Sequence, residues 1–278
     1  MVAKPWLLEY GEPSWLDHEV LRSVVGSGVH GIAIPGTDDH DEYGVYVETP
    51  DNVFAVSDYY VSPRTLEVKK RRMDYTARTQ HEGARSGHGD IDLVVYSLRK
   101  YLRLSIKGNP TALLPLFAPA SDIIVTSDIG EELRANRSWF MSAYAVDRFM
   151  GYMQAQHQRM LGLGKRNRVP NRPELIEKYG WDVKYGSHAL RLAYEGYEIA
   201  KTGHLTLPMV RVQRERVLSV KRGEVPREEV SAEISEYEEK VRQLVVRGRL
   251  GVPPLPNFDA IEEWSIDTHL TYWKNHVR

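Results

Sequence analysis

Two aspartates separated by one residue, Asp39 and Asp41, are the side chains in this sequence best suited to chemistry. In an extended segment, residues two apart lie on the same face, so the two carboxylates would be neighbours. Neighbouring carboxylates repel each other unless a cation lies between them. Their hard oxygen atoms suit Mg²⁺ or Mn²⁺, which also bind the phosphate oxygens of a substrate. The pair therefore predicts a site for a divalent metal ion.

A Gly-Ser turn, Gly26 and Ser27, precedes this pair and follows an apolar segment that is typical of a strand. The free backbone N–H groups of such a turn can bind phosphate oxygens. The turn is not a P-loop, because no Gly-Lys-Ser/Thr follows it. A phosphate-binding turn beside metal ligands is the arrangement that metal-assisted phosphoryl transfer requires.

Two other interpretations of this region remain open. The acidic segment 38–41 could be a solvated turn without chemistry. Alternatively, nearby histidines could join the aspartates in the metal site of a hydrolase. The histidines concerned are His30, His40, His81 and His88. They lack the tight spacing of a helical metal motif such as H-E-x-x-H, so the sequence favours a phosphate-transfer site.

The elements that would position these residues are both α and β in the first part of the chain. Glu19–Val25 and Gly44–Val47 are rich in β-branched and apolar residues, and Asp90–Tyr96 alternates, so each predicts a strand. Residues 62–90 predict a loop with one strand. Ser97 has the position of a helix N-cap, because apolar residues at helical spacing follow it.

Beyond about residue 120 the sequence predicts helices almost throughout. Asp128 and Glu131 match a capping box, and the helix that they open is predicted to extend to Gly162–Gly164. Asp182 is the predicted cap of another helix, which ends near Gly203.

Three ordered segments resemble the polymerase-β superfamily of nucleotidyltransferases, and in particular its bacterial and phage group associated with RNA repair. They are GSGVHGIAIPGTDDHDEYGVYV, DIDLVVYSLRKYLRLSIKGNPTALLPLFAP and YGWDVKYGSHALRLAYEGYEIAKTGHLTLP. The expected fold class is therefore α+β. A polymerase-β-like nucleotidyltransferase domain, a mixed sheet with helices, would occupy residues 1–120, and an α-helical domain would occupy residues 121–278.

The resemblance also implies roles for individual residues. Gly26 and Ser27 would contact the triphosphate of a nucleoside triphosphate (NTP), and Asp39 and Asp41 would be catalytic ligands of Mg²⁺ or Mn²⁺. Asp38 stays open as an alternative ligand, because the register rests only on the Glu-Tyr-Gly-Val that follows the pair.

A third carboxylate on a neighbouring strand would complete the metal site and help to activate the acceptor hydroxyl. We expect this residue to be Asp92. Asp90 is the alternative, since the two are separated by one residue and would share a strand face.

In the third segment, Lys184, His188 and Arg191 lie at positions i, i+4 and i+7 of a predicted helix and so share one face. We expect this face to point across the cleft toward Asp39 and Asp41. Lys184 and Arg191 would neutralise phosphate charge, and His188 would donate a hydrogen bond. An exposed basic helix face is the alternative.

Other basic residues allow a contact with nucleic acid. The runs Lys69–Arg72 and Lys165–Arg172 could follow the phosphates of an RNA acceptor. Arg211, Arg214 and Arg216 are predicted to form a solvated helix face.

Composition restricts the class of protein. The chain has 278 residues, no cysteine and a formal net charge of -1, so thiolate chemistry and disulfides are excluded and any basic surface must be local. The amino terminus lacks the apolar run of a signal peptide, and no stretch reaches the ~18 apolar residues of a membrane span, so we expect a cytoplasmic protein without a membrane partner.

These features together predict transfer of a nucleoside monophosphate from an NTP to an acceptor hydroxyl. The resemblance suggests RNA as the acceptor. Two alternatives are nucleotidylation of a protein hydroxyl, as in AMPylation, and an inactive module that only binds nucleotides.

Overall fold

The computed structural model describes residues 15–36, 38–61, 67–70, 74–79, 89–163 and 172–277. His81, His88 and the greater part of the two basic runs lie outside these residues, and the predictions about them stay untested.

The described residues form seven strands and eleven α-helices. The strands are β1 (Glu19–Val24), β2 (His40–Tyr46), β3 (Tyr59–Val61), β4 (Val68–Lys70), β5 (Asp74–Arg78), β6 (Ile91–Ser97) and β7 (Ile123–Thr126). The helices are α1 (Gly26–Val29), α2 (Pro50–Phe54), α3 (Leu98–Ile106), α4 (Pro110–Phe117), α5 (Asp128–Ala135), α6 (Ala143–Met160), α7 (Pro173–Tyr179), α8 (Val183–Thr202), α9 (Arg211–Lys221), α10 (Arg227–Val246) and α11 (Phe258–His276). None of these helices is both long enough and apolar enough to cross a membrane.

Five strands form one mixed sheet in the order β5-β6-β2-β1-β7. β2 and β6 are parallel, and the other neighbours are antiparallel. The parallel register places Asp41 beside Asp92. β3 and β4 pair separately as an antiparallel hairpin. The predicted α+β class, with a mixed sheet followed by helices, is confirmed.

The two faces of the sheet are covered differently. Tyr43 and Val45 of β2 belong to the main core, which continues into the helices. Tyr46 of β2 and Leu93 of β6 point to the other face, where they pack with Trp15 in a small separate cluster. Since side chains alternate along a strand, Asp41 shares the face of Tyr43, toward the helices.

Helix α8 is the centre of the helical part, because α6, α9 and α10 all pack against it. Asp182 caps its first turn by accepting hydrogen bonds from the amides of Lys184 (3.0 Å) and Tyr185 (3.2 Å), as predicted. Gly203 ends it in the left-handed conformation, with φ of 67°. A Cβ on Gly186 would overlap the ring of Trp181, so this glycine permits the close packing.

Residues on either side of position 120 contribute to the same sheet and the same core. β7 pairs with β1, and the main core contains residues from β2 as well as α8 and α10. Trp273 Nε1 of α11 donates to the carbonyl oxygen of Glu48 at 2.8 Å, which joins the last helix to the first part of the chain. The division into domains at 1–120 and 121–278 stays a prediction.

Two expectations about local structure are wrong. The helix opened at Asp128 ends at Ala135 instead of continuing to Gly162, because the chain then turns through Arg137–Phe140 and buries Phe140. Its N-cap is Ser127, whose hydroxyl accepts from the amide of Gly130.

Residues 62–90, predicted to hold one strand, contain both β4 and β5. The strand β5 is stabilised by pairing with β6, a contact that local sequence does not reveal.

Candidate active site

Asp39, Asp41 and Asp92 meet at the amino-terminal ends of β2 and β6. Each offers a carboxylate oxygen, and these oxygens lie within 4.8 Å of one another. The parallel register of β2 and β6 places Asp41 beside Asp92, and Asp39 lies just before β2. Within the described part of the chain, this is the group of acidic or histidine side chains whose geometry suits a metal ion.

The electrostatics of this acidic triad also suit a cation. Burial, followed by the charges of Asp39 and Asp92, raises the pKa of Asp41 to about 6. Lys184 acts in the opposite direction but does not compensate for these effects. Three hard oxygen donors close together fit a divalent ion such as Mg²⁺ or Mn²⁺.

The two alternative aspartates make other contacts. Asp38 Oδ2 accepts from Lys221 Nζ at 2.8 Å and from the amide of Ile34 at 2.6 Å, so it holds the loop before β2 against α9. Asp90 Oδ1 accepts from the hydroxyl of Thr79 at 3.2 Å. Neither residue belongs to the triad, which leaves Asp92 as its third member.

The Gly-Ser turn lies directly against the triad. Gly26 has φ of 61°, and a Cβ at this position would overlap the carboxylate of Asp41. Only glycine tolerates both conditions without strain. The amide of Val25 donates to the carbonyl of Asp41 at 2.9 Å and fixes the turn to β2. The structure therefore brings Gly26 and Ser27 to the metal-ligand candidates, as the spacing predicted, while their role in binding phosphate stays a prediction.

The three predicted cations of α8 differ in their surroundings. Lys184 is exposed and acts electrostatically on Asp41. Burial and the neighbouring Arg191 lower the pKa of His188 to about 3, so this histidine is neutral at pH 7. Arg191 Nη1 donates to Glu195 Oε2 at 2.8 Å. His188 is therefore a neutral side chain and Arg191 already pairs with Glu195, while the predicted nucleotide contacts of Lys184, His188 and Arg191 stay a prediction.

Neither described histidine among the hydrolase candidates joins the acidic triad. His40 contacts Glu42 at 3.2 Å on the other face of β2. His30 is buried between α1 and α8, where its Nε2 lies 2.8 Å from Glu195 Oε1. The described residues thus provide no support for a His/Asp metal site.

Glu195 is a residue that the sequence analysis missed. It is 2% exposed, although its neighbourhood on α8 was interpreted as a basic face. The sequence signal that could have identified Glu195 is its position four residues after Arg191, where the two side chains can pair on one helix face. The residues around it in the helix are mostly apolar.

The arginines of α9 are not a uniform solvated face. Arg216 Nε donates to Glu233 Oε2 of α10 at 2.8 Å. The prediction of a solvated face is therefore wrong for Arg216, which packs against α10. The side chain of Arg214 lies against Gly31, next to the Gly-Ser turn.

A solved structure and a family model are similar to this chain. A nucleotidyltransferase-like protein from Exiguobacterium sibiricum has a crystal structure that is similar at a TM-score of 0.30 and 11% sequence identity, covering 87% of this chain and 74% of that chain. This is a loose likeness. No curated protein matches the chain significantly. The model of the family described as RlaP, RNA repair pathway DNA polymerase beta family, matches residues 17–239, which is most of the chain. The chain therefore belongs to this family and is a nucleotidyltransferase of the polymerase-β type.

Proposed function

We propose that this nucleotidyltransferase transfers a nucleoside monophosphate from an NTP to a hydroxyl group of RNA. The observation that carries the proposal is the acidic triad packed against the Gly-Ser turn. The candidate metal ligands and the candidate phosphate-binding amides are therefore adjacent, which supports an in-line phosphoryl transfer.

Asp39, Asp41 and Asp92 would hold Mg²⁺ or Mn²⁺. When bound, the ion would supply positive charge to the phosphate oxygens that become more negative during transfer. The protein's own groups would do the rest. The backbone N–H groups and hydroxyl of the turn at Gly26 and Ser27 bind the triphosphate, and Lys184 adds positive charge at the entrance.

Asp92 would accept a hydrogen bond from the attacking hydroxyl. It lies on β6, whereas the Gly-Ser turn follows β1, so Asp92 and the turn are on opposite sides of β2. The Asp92 side chain is half-buried. A carboxylate in this position orients the hydroxyl and helps to remove its proton.

RNA is the acceptor that the family description supports, because it names an RNA repair pathway. A protein hydroxyl would be a different acceptor, and the assay below separates the two.

The test uses each of the four NTPs labelled at the α-phosphate, incubated with the protein, a divalent metal ion, and either RNA or no RNA. Label that appears in RNA and requires Asp41 supports the proposal. Label in protein alone would replace RNA by a protein acceptor. NTP binding without any transfer would contradict the proposal and leave a binding module. Asp41→Asn is the matched inactive control.

A further inference from the structure

The buried pair His30 and Glu195 connects the central helix α8 to the Gly-Ser turn. We propose that this pair is a positioning device, which holds the carbonyl of Gly26 so that the next amide, that of Ser27, faces the triphosphate. The inference rests on the proposed function, because it assigns a task to residues that support its phosphate-binding turn.

The contacts form a continuous chain. His30 Nδ1 contacts the carbonyl oxygen of Gly26, and His30 Nε2 lies 2.8 Å from Glu195 Oε1. Arg191 Nη1 is 2.8 Å from both His30 Nε2 and Glu195 Oε2. His30 is 1% and Glu195 2% exposed, so water does not compete for these contacts.

The geometry of the peptide bond explains why the Gly26 carbonyl matters. In a trans peptide the C=O of one residue and the N–H of the next point in opposite directions within one plane. Because His30 Nδ1 donates to the Gly26 oxygen, it also fixes the direction of the Ser27 N–H. Gly26 needs such a restraint because glycine can adopt many backbone conformations, of which the structure uses one with φ of 61°.

The charge of Glu195 is maintained despite its burial. Burial by itself would raise the pKa of Glu195, but the charge of Arg191 and then the contact with His30 outweigh this effect and lower it to about 2. Loss of either partner would leave the buried carboxylate uncompensated and would destabilise the folded protein. The three side chains are therefore held in one arrangement.

The chain contains a matched control for this device. His269 of α11 has a similar but looser arrangement: its Nδ1 contacts the carbonyl of Ser265 at 2.6 Å, four residues earlier, and its Nε2 lies 3.3 Å from Glu48 Oε2 without a hydrogen bond between them. Both side chains are buried. This second pair contacts neither the triad nor the Gly-Ser turn, so its loss reports the structural effect of breaking a buried His–Glu pair.

The experiment compares Glu195→Gln, His30→Leu and His30→Asn with Glu48→Gln. His30→Asn keeps a donor near the position of Nδ1. We expect Glu195→Gln and His30→Leu to raise the KM for NTP about tenfold with kcat changed less than about threefold, and His30→Asn to restore much of the loss. Glu48→Gln should lower the melting temperature without changing KM. Direct NTP binding, measured with Ca²⁺ in place of the catalytic ion, provides a readout other than activity.

The outcomes are distinguishable. If the wild-type protein neither binds nor transfers NTP, the proposed function fails. If it does both, and Glu195→Gln and His30→Leu bind NTP like the wild type, the positioning role is overturned while the proposed function stands. An equal rise in KM for Glu48→Gln would also overturn it, because the effect would then be a general loss of stability. Should His30→Leu fail to fold, Glu195→Gln and His30→Asn decide the result.

Discussion

Two acidic clusters lie on opposite faces of the sheet and share the strand β2, and the described residues pair them differently. Asp41 and Glu42 are neighbours in β2, so their side chains point to opposite faces. On the face of Glu42, Arg22 Nε and Nη2 donate to both carboxylate oxygens of Glu19 at 2.7 and 2.6 Å, and Arg22 Nη1 lies 3.3 Å from Glu42. This cluster contains its own buried cation.

On the face of Asp41, the described residues place no buried cation within the acidic triad. Its ion pair within the described residues is a contact of 3.5 Å between Arg78 Nε and Asp92 Oδ1, and the Arg78 side chain is 55% exposed. The pKa of Asp41 stays raised to about 6 by burial and by its acidic neighbours. We expect the paired cluster to stabilise the sheet, whereas the triad is the proposed site of the metal ion.

The largest expected effect is on catalysis. Asp41→Asn should lower nucleotide transfer at least about a thousandfold, because a loss of several kcal/mol in charge stabilisation corresponds to such a factor. Single-turnover transfer from labelled NTP measures it. Asp38→Asn, which changes an aspartate paired with Lys221, is the control and should keep most of the activity. If both variants are equally active, the choice of ligands is wrong.

The second effect is on stability. Arg22→Met leaves Glu19 and Glu42 buried without their cation and should lower the free energy of unfolding by about 3 kcal/mol. Urea unfolding followed by circular dichroism measures this change. A variant as stable as the wild type would show that this cluster does not stabilise the sheet, and the contrast between the two faces would disappear.

The third effect concerns the pH dependence of stability in the presence of a chelator. Since the pKa of Asp41 is raised in the folded state, the unfolded chain loses this proton first as the pH rises from about 4 to 6, and the folded protein loses stability in that interval. Asp41→Asn does not titrate. Its advantage over the wild type should appear across this interval and remain constant above it, at about 1 kcal/mol after solvent screening. An advantage that is present at pH 4 and lost by pH 6 would contradict the assigned sign.

The smallest effect is expected at the entrance to the site. Lys184→Ala should weaken NTP binding only severalfold and reduce its dependence on salt, since Lys184 is exposed and acts on the triad through solvent. Binding titrations at low and high ionic strength measure both quantities. An unchanged salt dependence would mean that Lys184 has no contact with the phosphates.

The parts of the site that local sequence encodes were predictable. Alternation places Asp39 and Asp41 on one face, and the conformational freedom of Gly26 was implied by its turn. The choice between Asp90 and Asp92 was not predictable in the same way. It depends on the register between β2 and β6, which puts Asp92 beside Asp41 and is formed by residues distant in the chain.

The helices show the same difference between features encoded locally and features that depend on distant residues. α8 was predicted from its caps, Asp182 and Gly203, because both act within one turn. The break after Ala135 was missed, since it is stabilised by burial of Phe140 in the core. Glu195 was missed for a similar reason: only the packing of α8 against α1 shows that its partner is His30.

Metal binding by the acidic triad tests the central claim most directly. Mn²⁺ binding can be followed by electron paramagnetic resonance in the presence of a non-hydrolysable NTP analogue, with wild type, Asp41→Asn and Asp38→Asn compared. We predict a Mn²⁺ site in the wild type and in Asp38→Asn that is lost in Asp41→Asn. Equal Mn²⁺ binding by Asp41→Asn and the wild type would contradict the assignment of the triad as the metal site.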